Sequence, residues 1–166
     1  MMVKKLSAVG NSLGLIIARP ILELLDINKD NISVDVARYT GFLTGFGIEV
    51  PDPKVLASET DPRVIGHESS EASAAGGPTA MEPLLAKDPD INVVYTINEP
   101  AAAGAYKALK AAKKDKGVVI VSVDGGCAGI KDVGAGVIAA TSQQYPLKMA
   151  AMGVAAGVEY AKTGKK

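Results

Sequence analysis

Polar side chains follow three short apolar runs, at the points where strands would end. They are Asn98, Asp124 and the run Ser142-Gln143-Gln144. Amide and carboxylate groups held at neighbouring strand ends offer fixed donors and acceptors, which the hydroxyls of a neutral polyol require. This pattern predicts a sugar-like ligand at the carboxyl edge of a sheet. An alternative stays open, because Asn98 and Ser142 are also typical helix caps and an Asp at the position of Asp124 commonly starts a turn.

The elements that would position these side chains alternate along the chain. Short β-branched runs and Ala-rich stretches succeed each other from residue 32 onward, which is typical of repeated βαβ units. We predict an α/β fold with a parallel sheet and helices on both faces. The predicted strands cover residues 32–36, 63–67, 91–97, 118–123 and 137–141, and the predicted helices cover residues 39–46, 77–86, 100–112 and 146–162.

Composition excludes several other kinds of function. Lys plus Arg and Asp plus Glu number 18 each, which argues against a broad nucleic-acid surface. Cys127 and His67 are the only residues of their types, so a disulfide, a thiolate zinc site or a two-histidine metal site cannot form within the chain. Glu68, Glu71 and Glu99 are interpreted as solvated. We therefore predict no catalysis, no cofactor and no metal, and no membrane span because no apolar run reaches eighteen residues.

Residues 38–166 carry a resemblance to a known family. The stretches that carry it are RYTGFLTGFGIE, DPRVIGHE, LLAKDPDINVVYTINEPAAAGAYKALKAA, VVIVSVDGGCAGIKDV and GVIAATSQQYPLKMAAMGV. They resemble the C-terminal lobe of the sugar-binding proteins of bacterial ABC importers, most closely the fructose type. The resemblance implies a single lobe of a type I periplasmic binding protein that binds a small fructose-like sugar without catalysis. It assigns the sugar hydroxyls to Asn98, Asp124 and Gln144.

The chain also departs from the family pattern. Family members have two lobes that close on the sugar, whereas this sequence stops after the helix that should lead back to the first lobe. Sugar binding is therefore expected to be weak. Family members tend to place a sugar-binding arginine shortly before the GF of the first helix. In VDVARYTGF we interpret Arg38 as a structural arginine of that helix, with Val36 at the position where a ligand arginine is plausible.

Residues 1–36 resemble a different module. The segment KKLSAVGNSLGLIIARPILELLDI followed by NKDNISVDVA predicts a short β-β-α-β unit, with a turn at Gly10-Asn11-Ser12 and a helix over residues 20–25. It is similar to the swapped-hairpin DNA-binding module of AbrB/MazE-type proteins, which works as an intertwined dimer. The resemblance implies DNA contacts by Lys4, Lys5 and Arg19. Alternatively, this segment supplies strands that complete the α/β sheet.

Two domains follow from these resemblances, residues 1–36 and residues 37–166, and their joining suggests a fusion or chimera. Weak sugar recognition is the first functional hypothesis. The alternatives are a DNA-binding or dimerising regulator acting through residues 1–36, or a scaffold without ligand. A homodimer is expected if the surface facing the missing lobe is exposed and apolar. We expect a cytoplasmic location because the apolar stretch after Lys4-Lys5 is interrupted and lacks a cleavage site, although the main lobe has periplasmic ancestry.

Overall fold

The computed structural model describes residues 7–9, 12–14 and 34–164. Strands β1 (Ser7–Val9) and β2 (Ser12–Gly14) pair antiparallel, with Ala8 opposite Leu13. This pairing agrees with the hairpin predicted from the Gly-Asn-Ser turn. The helix predicted over residues 20–25 lies outside the described residues.

The remaining described chain forms five helices around a three-stranded sheet. The order is α1 (Val34–Phe46), α2 (Gly76–Lys87), β3 (Val93–Tyr95), α3 (Glu99–Ala111), β4 (Val119–Asp124), α4 (Cys127–Gly134), β5 (Ala140–Gln143) and α5 (Pro146–Thr163). The strands lie in the order β3-β4-β5 and all pair in parallel. The predicted α/β fold with a parallel sheet is therefore confirmed. Because all three strands run the same way, their carboxyl ends meet at one edge of the sheet.

The core is built from β-branched strand residues and small helix residues. Val94 and Ile120 contribute from β3 and β4, and Ile138 contributes from the residues just before β5. Met81 and Leu109 pack on them from α2 and α3. Leu109 and Ile138 are 0% exposed, and each such side chain stabilises the fold by about 1.5–3 kcal/mol. The alanines of α3 fill the space between the larger side chains, so α3 can lie close to its neighbours. This arrangement fixes the start of α3 at the carboxyl edge of the sheet.

Two glycines allow α2 and α3 to touch through their backbones. A Cβ atom built on Gly77 would lie 2.6 Å from the Cα atom of Gly104 and 2.7 Å from the carbonyl oxygen of Ala101. A Cβ atom on Gly104 would lie 2.6 Å from the carbonyl oxygen of Ala74. No side chain fits at either position, because backbone atoms cannot move aside as the end of a side chain can.

Two predicted strands are wrong. Residues 34–36, predicted as the end of a strand, form the first turn of α1, and its buried Thr40 and Leu43 stand three positions apart as on a helix face. The alternation of ISVDVA is too short to distinguish the two periods. Residues 63–67 form turns and irregular chain. A strand needs a neighbour to pair with, and in the described chain residues 63–67 pair with none of the strands.

Boundaries differ elsewhere by a few residues, and one helix was not predicted. β5 covers Ala140–Gln143 instead of residues 137–141, because Gly136 at φ 73° and the bond from the Val137 amide to the Asp132 carbonyl make a turn first. Helix α4 begins after Gly126 and contains two further glycines, which disguise it as a loop in the sequence.

Helix α5 has none of its residues buried. It ends at Gly164, which takes the left-handed conformation at φ 66° that closes many helices. Leu147 is 88% exposed and Val154 is 63% exposed. Apolar helices are normally covered by another element. The expectation that exposed apolar surface favours a homodimer stays a prediction.

Candidate functional site

The carboxyl edge of the sheet carries the three polar residues singled out in the sequence. Asp124 is the last residue of β4 and pairs with Gln143 of β5, so Gln144 stands one residue beyond that pair. Asn98 lies between β3 and α3 and is the N-cap residue of α3. The parallel register of the strands thus brings the three positions to one edge, as the sequence predicted.

Asp124 and Gln144 contact each other twice. The side-chain amide of Gln144 donates from Nε2 to Oδ1 of Asp124 over 2.6 Å, and its backbone amide donates to the Asp124 carbonyl over 3.0 Å. Asp124 has φ 150°, a backbone conformation that side chains rarely adopt and that often occurs at ligand sites. The side chain of Asp124 is 23% exposed, so its carboxylate is held in place and still reaches solvent.

Arg38 joins this pair, although the sequence reasoning left it out of the candidate site. Its Nη2 donates to Oε1 of Gln144 over 2.6 Å and lies 4.0 Å from Oδ1 of Asp124. Its Nη1 donates to the carbonyl of Ile97 over 3.0 Å. Arg38 therefore connects the ends of all three strands and is not confined to its own helix. We call Arg38, Asp124 and Gln144 the edge cluster.

Helix α1 delivers Arg38 to the edge because it packs against β3. The ring of Phe42, one turn after Arg38, stacks on the ring of Tyr95 with the centroids 4.6 Å apart and 13° between the planes. Burial raises the pKa of Tyr95 to about 12. The sequence signal that could have identified Arg38 is its place three residues before Gly41-Phe42, close to where the resembled family puts an arginine.

Asn98 is used differently from the edge cluster. Its Oδ1 accepts the amide of Ala101 over 3.0 Å, which caps α3, and its Nδ2 donates to the carbonyl of Ala72 over 2.8 Å. The capping alternative for Asn98 is thus confirmed. One oxygen lone pair and one amide hydrogen remain free of these two bonds. Ser142 does not cap α5, whose N-cap residue is Tyr145 and has no side-chain cap.

Glu99 is not solvated, contrary to the sequence interpretation. It is 8% exposed. Its carboxylate accepts the backbone amides of Gly125 and Gly126 and the hydroxyl of Thr141. The contacts of Glu99 with the turn after β4 and with β5 could not be predicted from the sequence, because they join residues 26 to 42 positions apart.

The geometry of the edge cluster suits hydroxyl recognition better than proton transfer. A guanidinium, a carboxylate and a primary amide lie within 4.0 Å of one another in space. Together they can donate to and accept from adjacent hydroxyls. Among the described residues, no group of three or more His, Cys, Asp or Glu side chains could hold a metal ion.

Comparison with known proteins identifies the family. The periplasmic binding protein domain family matches residues 33–166. The chain belongs to this family. The ribose import binding proteins RbsB of Haemophilus influenzae and of Escherichia coli K12 are each 35% identical to it over 91 residues. That match spans 55% of this chain and 30% of each relative.

A solved structure of the same kind supports the fold. It is an ABC transporter solute-binding protein from Burkholderia multivorans, whose unknown ligand was built as α-D-erythrofuranose. The TM-score is 0.54 at 26% identity, and the alignment covers 59% of this chain and 35% of that protein. The periplasmic binding proteins and the import proteins named here are described by binding and transport, in agreement with the prediction that the chain is not an enzyme.

A second polar cluster of this periplasmic binding protein domain lies apart from the edge cluster. The Tyr39 hydroxyl donates to Oε1 of Glu59 over 2.7 Å, and Nε2 of His67 lies 2.5 Å from the same oxygen. The side chain of Glu59 is 2% exposed. Glu59 and His67 line a depression of about 370 Å³, which no residue of the edge cluster lines. Desolvation and the neighbouring Glu59 raise the pKa of Tyr39.

Other sequence predictions remain untested. Lys4, Lys5 and Arg19, the candidate DNA contacts, lie outside the described residues. The AbrB/MazE resemblance, the two-domain division and the cytoplasmic location stay predictions. No helix in the described part of the chain is long and apolar enough to cross a membrane.

Proposed function

We propose that the chain recognises a small sugar, without changing it chemically, through Arg38, Asp124 and Gln144, with Asn98 beside them. The observation that carries the proposal is the continuous network of the edge cluster, in which Arg38 and Asp124 both contact the side-chain amide of Gln144 at 2.6 Å. The import proteins similar to this chain are named for ribose. We extend the ligand class to fructose-like sugars on the resemblance of residues 38–166.

The three groups are complementary to neighbouring hydroxyls of one sugar. A carboxylate oxygen accepts from a hydroxyl, a guanidinium donates to two acceptors in one plane, and an amide does both. In the structure these groups satisfy one another. A bound sugar would replace the bonds that join Gln144 to Arg38 and Asp124 with bonds to its own hydroxyls. The binding free energy gained per bond is then only the difference between the sugar bond that forms and the side-chain bond that breaks.

This exchange predicts modest affinity. The side chains of Arg38 and Asp124 are 20% and 23% exposed, so a sugar on the edge cluster keeps contact with water. Polar contacts in reach of water contribute little net free energy. We expect a dissociation constant of about 1 mM or weaker for the chain as given.

Titration with ribose and with fructose, followed by amide NMR, tests the proposal. We expect shifts confined to the amides around Asn98, Asp124 and Gln144, and we expect Asp124→Ala to abolish them. Gln144→Ala should do the same. The adjacent Gln143→Ala is the matched control, because Gln143 is exposed and outside the edge cluster.

Three outcomes would count against sugar recognition at this edge. A dispersed spectrum that does not move with either sugar would favour a scaffold without ligand. Shifts that survive Asp124→Ala would place the sugar elsewhere. Equal losses in Gln144→Ala and Gln143→Ala would show a general effect on β5 and not a contact with the sugar.

A further inference from the structure

Glu99 is a buried carboxylate with no cation against it in the described contacts. It is 8% exposed, yet its hydrogen-bond donors are neutral: the Gly125 amide at 2.9 Å, the Gly126 amide at 3.2 Å and the Thr141 hydroxyl at 2.8 Å. Burying a charge costs free energy unless good hydrogen bonds replace its water. The three donors that replace this water are therefore held in place by the carboxylate in turn.

The chain is shaped around this carboxylate. A Cβ atom on Gly129 would lie 1.9 Å from Cδ of Glu99, so any side chain at that position would displace the carboxylate. Gly126 is the N-cap residue of α4. Its amide donates to both carboxylate oxygens of Glu99 at 3.2 Å. Amides at a helix start favour a negative charge, which explains how the buried charge is tolerated.

The same contacts fix the peptide group that follows Asp124. The carbonyl of Asp124 accepts the amide of Gln144 over 3.0 Å, and the amide at the other end of that peptide group, on Gly125, donates to Glu99. The backbone amide of Glu99 also donates to Oδ2 of Asp124 over 3.3 Å. Three groups at this turn are therefore held. Glu99 holds the Gly125 amide and Oδ2 of Asp124, and Gln144 holds the Asp124 carbonyl.

We propose that Glu99 is a positioning residue that holds Asp124 in the orientation required for the edge cluster. Without the carboxylate, the Gly125 amide would lose its 2.9 Å acceptor and keep only the Thr141 hydroxyl at 3.3 Å, so the peptide group that follows Asp124 at φ 150° would be held less firmly. The bond from Nε2 of Gln144 to Oδ1 of Asp124 would be lost with that orientation. The inference rests on the proposed function for its consequence on sugar binding, but the positioning itself can be measured without any sugar.

Glu99→Gln tests this role with almost no change in shape. The retained oxygen can take the place of Oε1, so the new amide group would stand at Oε2 and direct its hydrogens at the Gly126 amide. That contact becomes a repulsion, which should shift the glycine turn that follows Asp124. We expect the side-chain NH₂ resonances of Gln144 to shift in the folded variant, since that group is bonded to Asp124. Sugar affinity of the folded protein should fall about tenfold, the loss expected for one hydrogen bond to a charged group. The exposed Glu82→Gln is the matched control.

The outcomes separate the positioning role from the proposed function. A folded Glu99→Gln protein with lower thermal stability but unmoved Gln144 side-chain resonances would overturn the inference, because Glu99 would then be a structural residue only. Shifted Gln144 resonances in a chain whose parent binds neither ribose nor fructose would support the positioning and refute the sugar proposal. If Glu99→Gln does not fold, Thr141→Val removes the hydroxyl bond to Glu99 and the longer bond from the Gly125 amide, and leaves the 2.9 Å bond between Gly125 and Glu99 in place. It should shift the same resonances by less, and unmoved resonances there would equally overturn the inference.

Discussion

Replacing Gly104 with alanine should destabilise the protein, although alanine is the better helix former. In an open helix position this change gains about 1 kcal/mol. Here the new methyl group would lie 2.6 Å from the Ala74 carbonyl oxygen and 2.8 Å from the Gly77 Cα atom, so α2 and α3 must separate. Overpacking of this kind costs about 1–3 kcal/mol. Because the contacts are with backbone, we take the upper end, which leaves a net loss of about 2 kcal/mol after the helix gain.

Thermal unfolding followed by circular dichroism measures this loss. For a chain of this size about 2 kcal/mol corresponds to a fall in Tm of roughly 4–8 °C. Gly153→Ala in α5 is the matched control, because a Cβ atom there meets nothing within 4 Å, and it should raise the free energy of unfolding by about 0.5–1 kcal/mol. A Gly104→Ala protein that melts at or above the parent temperature would show that α2 and α3 do not pack as described.

Three further predictions concern charged groups. Burial raises the pKa of the Glu59 carboxyl, but hydrogen bonds from Tyr39 and His67 outweigh it and leave the pKa below the usual 4.5. The stabilisation by the ionised Glu59 is therefore complete above about pH 4.5 and is lost as pH falls through the folded pKa. The free energy of unfolding, measured in urea, should consequently fall less on acidification in Glu59→Gln than in the parent. The Arg63 side chain holds the pKa of Asp61 at about 2, and Arg63→Gln should return it toward 3.8 in a carboxyl NMR titration. If residues 1–36 bind DNA, replacing both Lys4 and Lys5 by alanine should weaken a gel shift that strengthens at low salt; no shift at low salt in the parent would count against that alternative.

The sequence was informative wherever a signal is local. The runs before Asn98 and Asp124 are strands, and α3 and α5 begin and end within a residue of their predicted bounds. Parallel strands followed by polar residues then predict an edge where those residues meet. The predicted strand at residues 63–67 failed because a strand forms by pairing, and its own composition cannot show whether a neighbour is present.

Sequence reasoning did not predict the contacts of Arg38 and Glu99 at the edge, and both of these residues act over distance. Arg38 reaches Gln144 across 106 positions. Glu99 reaches Thr141 across 42 positions. Both are charged side chains that single-sequence reasoning assigns to solvent or to their own helix by default, since charged residues are rarely buried without a partner. Their partners exist only once α1 lies against β3 and the strand ends are aligned.

Asn98 shows why a polar residue at a strand end can both cap a helix and bind a ligand. A residue that caps the helix after a parallel strand stands, by its position, at the edge where ligands bind. The cap bond to Ala101 and the bond to Ala72 also fix the rotamer of Asn98, so the remaining lone pair and hydrogen have fixed directions. Capping thus supplies the rigidity that recognition of a hydroxyl needs. Asp124 follows the same logic through Glu99, which holds its turn and leaves one side of its carboxylate toward solvent.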